Sequence, residues 1–202
     1  MPAYVSAATT LTHTDPRAES GALAVALAAH HLARGVHGPE LLSVVAEALE
    51  EPELRALIHQ AADLALQPAP VPALIQALGL EAGVTGFVSH TVPVALTLAA
   101  IAPDFPSAIE RAIALGGDTD TVAAIVGALC GARFGPDAIP PEWVAGIRDW
   151  PLSVPKLKAL AAALAEGTPP PRISWFGSLL RNLGVFMPLV FGHLGRRALP
   201  PY

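Results

Sequence analysis

The chain holds a single cysteine, Cys130. No intramolecular disulfide can form, a zinc site built on cysteines does not fit, and a reducing compartment does, so the expected localisation is cytoplasmic. Charge is also scarce: Asp, Glu, Lys and Arg make up 14% of the residues, the formal net charge is -5, and no basic cluster precedes the last segment. Nucleic acid is therefore not an expected partner. No stretch shows sustained period-two alternation rich in β-branched residues, which excludes a sheet and points to an all-α fold, and no repeat recurs at a fixed period. Met1-Pro-Ala-Tyr-Val-Ser lacks a basic segment followed by an apolar run, so no secretory leader is expected. What is present is oily for a soluble protein: 52% of the 202 residues are apolar and the mean hydropathy is +0.49. That length and composition suffice to bury one sizeable core.

Helical patterns fill most of the chain. Tyr4 to Thr12 shows little helical period, and Thr14 or Asp15 then caps a helix with Pro16 in its first turn and a stop at Gly35. Pro39 to Glu50 and Glu53 to Leu66 read as two more helices, split by Pro52. After three prolines between Gln67 and Pro72, a short helix over Ala73 to Leu78 ends at Gly79. A glycine- and hydroxyl-rich stretch, Gly83 to Thr91, leads into a helix with Pro93 in its first turn. Pro106 to Leu115 follows, and later come a turn of helix at Pro140 to Trp143 and a helix over Pro155 to Glu166, closed by Gly167. The prolines at 169–171 mark the best boundary, separating residues 1–168 from a tail, 169–202. That tail carries Trp175, Phe176, Phe186, Phe191 and the pair Arg196-Arg197, and Arg181, Asn182, Pro188 and His193 make it a poor transmembrane span. Packing back on the domain is its expected fate, with a membrane surface or a partner as the alternative.

The chain is organised around Leu115-Gly-Gly-Asp-Thr-Asp-Thr121, where a turn enters a helix over Val122 to Ala132 that holds no charged residue. A helix apolar on every face is expected inside the protein, carrying the carboxylates of Asp118 and Asp120 inward with it. Ionised carboxylates there are costly unless paired or bound to a cation. Two carboxylates and the Thr121 hydroxyl are hard oxygen donors suited to magnesium, manganese or calcium rather than zinc. The alternative is that either aspartate merely caps the helix and gains from its dipole. Gly116 and Gly117 permit backbone angles closed to other residues and a close approach by another segment or a ligand. Gly127, Gly131 and Gly135, with Ala123, form a smooth ridge for close helix packing.

The segment Leu115 to Gly135 closely resembles the signature of the ADP-ribosylglycohydrolases, the group related to dinitrogenase reductase-activating glycohydrolase. The resemblance extends to Thr10-Leu-Thr-His13-Thr-Asp15-Pro16, to Gly83 through Leu96 and to Ile139-Pro-Pro-Glu-Trp143, spanning roughly residues 3 to 165. It implies a compact orthogonal multi-helix domain with two magnesium or manganese ions, hydrolysing the bond between ADP-ribose and a protein side chain or other acceptor. By position it makes Asp118, Asp120 and Thr121 the carboxy-terminal half of the metal ligands. It brings His13 to the substrate and lines the ADP-ribose cleft with Gly83, Gly86 and Phe87, Phe87 as a stacking surface, with Gly116 and Gly117 beside them. It assigns no catalytic acid or base in this chain, and His90 reads as structural.

In that family the other metal ligands come from an amino-terminal threonine-aspartate-aspartate-threonine segment, and no Asp-Asp pair occurs here. The amino-terminal part of the family fold is thus expected to be missing. Three readings follow: an enzyme completed by a second chain or by residues ahead of Met1, a non-catalytic remnant that binds an ADP-ribose-like nucleotide, and a helical interaction protein.

Overall fold

A computed structural model describes residues 2–147 and 150–198; among them there are helices and turns but no strand. The chain divides into two compact units, Met1–Ile139 and Pro140–Tyr202.

The first unit contains α1 (Pro2–Thr9), α2 (Pro16–Leu32), α3 (Gly38–Glu47), α4 (Pro52–Leu64), α5 (Pro70–Leu78), α6 (Val88–Ile101), α7 (Phe105–Ala114) and α8 (Thr119–Phe134), followed by a 3-10 turn at Pro136–Ala138. Polar residues start several of these helices, Asp15 as the pattern predicts. The Asp15 carboxylate accepts from Arg17 N at 2.9 Å, Glu51 accepts from Glu53 N and Leu54 N, and Asp104 accepts from Ser107 N at 2.8 Å. Each satisfies amide groups that have no partner inside the helix. Gly79 closes α5 in a left-handed conformation, φ +67°.

α5 begins at Pro70 and α8 at Thr119, each three residues before the expected start, and two further elements depart from the pattern. Residues Pro2–Thr9 are helical despite weak periodicity; α1 buries none of its residues fully and rests on α2. Pro93 lies inside α6 rather than in its first turn, because the helix begins at Val88, with Phe87 as its N-cap. A proline there removes one helical hydrogen bond, and burial of the flanking Val92, Val94 and Leu96 offsets the loss.

The interior helix is α6, not α8. Thr91 through Ala100 are all buried, with α2, α3, α4, α5, α7 and α8 around them. The helix after the acidic motif buries Val122, Val126, Leu129 and Cys130, while Ala124 and Ala128 are exposed. The expectation that it lies wholly inside is thereby corrected. Apolar stabilisation scales with the area removed from water, so the large side chains of α6 are drawn inward more strongly than a row of alanines and glycines. Of the predicted glycine ridge, only Gly127 meets a neighbour: a Cβ there would come within 3.3 Å of Ile109 Cδ1, whereas Gly131 and Gly135 face nothing within 4 Å.

Arg133 locks α8 to the end of α6. Its Nη1 donates to the carbonyls of Ala99, Ala100 and Ala102 at 2.9, 3.1 and 3.0 Å, and its guanidinium lies over the Phe134 ring.

The second unit holds α9 (Pro141–Gly146), α10 (Val154–Glu166) and α11 (Trp175–Ala198), with the prolines at 169–171 between the last two. Residues 199–202 of the sequence-defined tail lie outside the described residues. Among those described, no helix is long and apolar enough to cross a membrane.

Candidate functional site

Two glycine-bearing loops, about thirty residues apart in the chain, meet backbone to backbone. Val84 N donates to Gly116 O at 3.1 Å and Asp118 N donates to Val84 O at 2.7 Å, which makes a parallel bridge between Val84 and Gly117. Side chains would forbid this approach. Gly83 has φ +121°, and a Cβ on it would fall 2.6 Å from Gly117 N; a Cβ on Gly117, φ +78°, would run into Val84 O. Gly83, Gly116 and Gly117 therefore build the crossing.

The crossing sets Gly86 against Asp118, where a Cβ on the glycine would overlap the aspartate's Oδ2. Asp118 is the N-cap of α8, yet its side chain accepts no capping hydrogen bond, unlike Asp15, Glu51 and Asp104 at theirs. The neighbouring Asp118 side chain, followed by the backbone N–H groups of Thr121 and Asp120, holds the Asp120 carboxyl below its ordinary value. Simple capping does not describe Asp118.

Asp118 is half-buried, and Asp120 and Thr121 are exposed. The inward placement expected of the carboxylates is corrected: water reaches them, so no burial cost calls for a cation. What favours a cation is convergence of two carboxylates beside a hydroxyl at the positive end of a helix. That set fits a hard divalent ion such as magnesium or manganese but supplies few of the six or more oxygens such an ion takes. Among the described residues no cluster of three or more His, Cys, Asp or Glu could hold a metal.

Alongside the crossing runs a cleft of about 810 Å³ between α1, α2, α6 and α8. His13, Gly86, Phe87 and Thr121 all line it, brought together from three separate stretches of sequence, and its wall along α2 is apolar, with Ala22, Val25 and Ala26. His13 is exposed, with Nδ1 2.9 Å from Thr12 Oγ1. Phe87 is 47% exposed, as a stacking platform must be.

The loop bearing Phe87 is firmly held. Thr91 Oγ1 donates to Thr85 O at 2.7 Å, Thr85 Oγ1 lies 2.9 Å from His90 Nδ1, and the His90 ring meets Phe87 edge-on. One contact escaped the sequence reading: the Arg17 guanidinium lies 5.2 Å from the Phe87 ring centre while it grips the Asp15 carboxylate through Nε and Nη2. That grip holds the Asp15 carboxyl below its ordinary value. The only signal for it in the sequence was the cap dipeptide Asp15-Pro16 ahead of Arg17.

Comparison with known proteins shows the family. The model of a protein family described as ADP-ribosylglycohydrolase matches residues 2–172. The human protein named ADP-ribosylhydrolase ARH3 is 29% identical over 160 residues, covering 66% of this chain and 44% of the relative. The ADP-ribosyl-[dinitrogen reductase] glycohydrolase of Rhodospirillum rubrum is 27% identical over 143 residues, covering 70% of this chain and 41% of the relative. The ADP-ribosylarginine hydrolase Tri1 of Pseudomonas putida is 38% identical over a shorter stretch of 73 residues, 36% of this chain and 19% of the relative. The chain thus spans less than half the length of these curated relatives. No solved structure matches it.

Proposed function

The chain belongs to the ADP-ribosylglycohydrolase family, and from that premise we propose that it forms one half of a hydrolytic site for the glycosidic bond between ADP-ribose and an acceptor. The observation that carries this reading is the glycine crossing, which sets Asp118, its carboxylate free of any capping bond, beside Asp120 and beside Thr121, and Thr121 lines the same cleft as His13, Gly86 and Phe87. The substrate class rests on family membership.

Asp118, Asp120 and Thr121 would hold magnesium or manganese, which supplies charge stabilisation at the departing bond. The exposed Phe87 ring offers a face for a nucleobase, and Arg17 on that ring keeps the face oriented. Gly86 leaves room for the Asp118 carboxylate, which a Cβ would overlap, and His13 brings a ring nitrogen to the cleft. The apolar α2 wall excludes water from one side of the cleft.

With two carboxylates and a hydroxyl, the site lacks the donors for two ions, and no Asp-Asp pair stands elsewhere in the sequence. The complementary ligands are therefore assigned to residues beyond these 202, on the same polypeptide or on a second chain. The remnant reading shares the cleft and differs only in turnover. The test is calorimetric titration of the protein with manganese and with ADP-ribose, beside an assay for ADP-ribose release from a modified protein. Weak manganese binding, abolished by Asp120→Asn, and ADP-ribose binding weakened by Phe87→Ala, without release, are expected. Clear turnover that Asp120→Asn abolishes would show a complete site and overturn the half-site reading, whereas failure to bind ADP-ribose at all would overturn the assignment of the cleft.

A further inference from the structure

The described part of α11 wears its apolar face outward. Trp175, Phe176, Leu179, Leu180, Leu183, Phe186 and Met187 recur at helical spacing and are all exposed, Trp175 at 72% and both phenylalanines at 61%. The side turned inward is the small and polar one. Gly177 is buried, and a Cβ on it would come within 3.1 Å of the Trp150 ring; Ser178 and Arg181 are half-buried. A soluble helix packs the other way round.

Charge accompanies this inversion. From Gly167 to the end of the chain there is no aspartate or glutamate, while Arg172, Arg181, Arg196 and Arg197 supply four positive charges. The whole chain has 12 basic and 17 acidic residues, so residues 1–166 carry 8 and 17, a net of -9 against +4 for the last segment. An exposed face of Trp, Phe and Leu on a helix whose only charges are arginines matches the chemistry of an interfacial amphipathic helix. Among the described residues no helix is long and apolar enough to span a bilayer, and a one-sided apolar face suits a helix lying in the interface plane.

We propose that α11 docks on the surface of an anionic lipid bilayer, with Trp175, Phe176, Leu179, Leu183 and Phe186 entering the headgroup boundary and the net positive charge of residues 167–202 drawing the segment to acidic headgroups. Lipid is favoured over an acidic protein because the exposed face is a broad run of large side chains with no donor or acceptor pattern to set a register.

The test floats the full chain with phosphatidylcholine vesicles, with and without phosphatidylglycerol, at low salt. Flotation with the anionic vesicles only is expected, lost in Leu179→Asp with Leu183→Asp. Both positions are exposed, so circular dichroism should show unchanged helix content. Quenching by brominated lipid should vanish in Trp175→Phe. Arg196→Gln with Arg197→Gln should weaken partitioning about fivefold per arginine. Absence of flotation, equal flotation with neutral vesicles, or indifference to the leucine changes overturns the proposal. So does a concentration-dependent dimer that Leu183→Asp dissociates in a protein that never floats, which would assign the face to a second copy of the chain.

Discussion

Replacing Gly83 with alanine tests whether the glycine crossing organises the candidate site. Two costs are incurred at once. Alanine at φ +121° sits in a region that costs roughly 1–3 kcal/mol for a residue with a Cβ. The new methyl would also lie 2.6 Å from Gly117 N and 2.9 Å from its Cα, atoms of backbone that cannot rotate aside. The loops must separate, weakening the bonds from Val84 N to Gly116 O and from Asp118 N to Val84 O, about 1 kcal/mol each. The sum is about 3–5 kcal/mol, a large part of the about 5–15 kcal/mol that holds a typical domain together. Gly35 supplies the control: it has φ +86° with nothing within 4 Å of its Cβ position, so Gly35→Ala carries strain alone, about 1–2 kcal/mol. Urea unfolding followed by circular dichroism should place the Gly83→Ala midpoint about 1 M below that of Gly35→Ala, given a slope of about 2 kcal/mol per M. Manganese binding should fall for Gly83→Ala and stay unchanged for Gly35→Ala. Equal midpoints for the two variants would refute the reasoning, since the close approach would then cost nothing.

Arg133→Met should destabilise the protein by about 2–4 kcal/mol in the same assay, because three carbonyls at the end of α6 lose a charged donor; Arg133→Lys should recover part of this. Burial pushes the Cys130 thiol up to about 11, so maleimide at pH 8 should label the folded protein only as fast as it unfolds, and faster labelling would contradict its packing. Asp104 is held below its ordinary 3.8 by the Ser107 hydroxyl and backbone N–H, and Asp15 by Arg17. A carboxyl lowered by folding contributes stability that is fully present above 3.8 and lost as pH falls through its lowered value. Acid unfolding curves should therefore drop below about pH 4, and Asp104→Asn with Asp15→Asn should flatten that drop.

The helical class and most helix starts were legible because their causes are local. Proline at N1, an aspartate just before it and a glycine in left-handed conformation after the last turn act over a few residues, as at Asp15-Pro16 and Gly79, whereas Pro52, read as a break between helices, is itself the first residue of α4 with Glu51 as its cap. Residues 2–9 were missed because α1 has no strong period of its own and leans on α2. Pro93 misled because its usual place in a first turn is a preference that a well-buried helix overrides.

The candidate site divides along the same line. Asp118, Asp120 and Thr121 could be picked out as candidates from the chain, since a double glycine before spaced carboxylates and a charge-free helix is a local pattern; His13, Gly86 and Phe87 followed only from the resemblance to the family. Family membership likewise followed from that string and its companions. Their arrangement was not legible. That Gly83, Gly116 and Gly117 touch one another, that Asp118 leaves its cap position unused, that Arg17 lies over Phe87 and that α6 displaces α8 from the interior all depend on contacts between segments tens of residues apart. Local sequence fixes which conformations each segment prefers; which segments meet, and which carboxylates stay in water, is decided by competition among whole helices for the limited area that one core can bury.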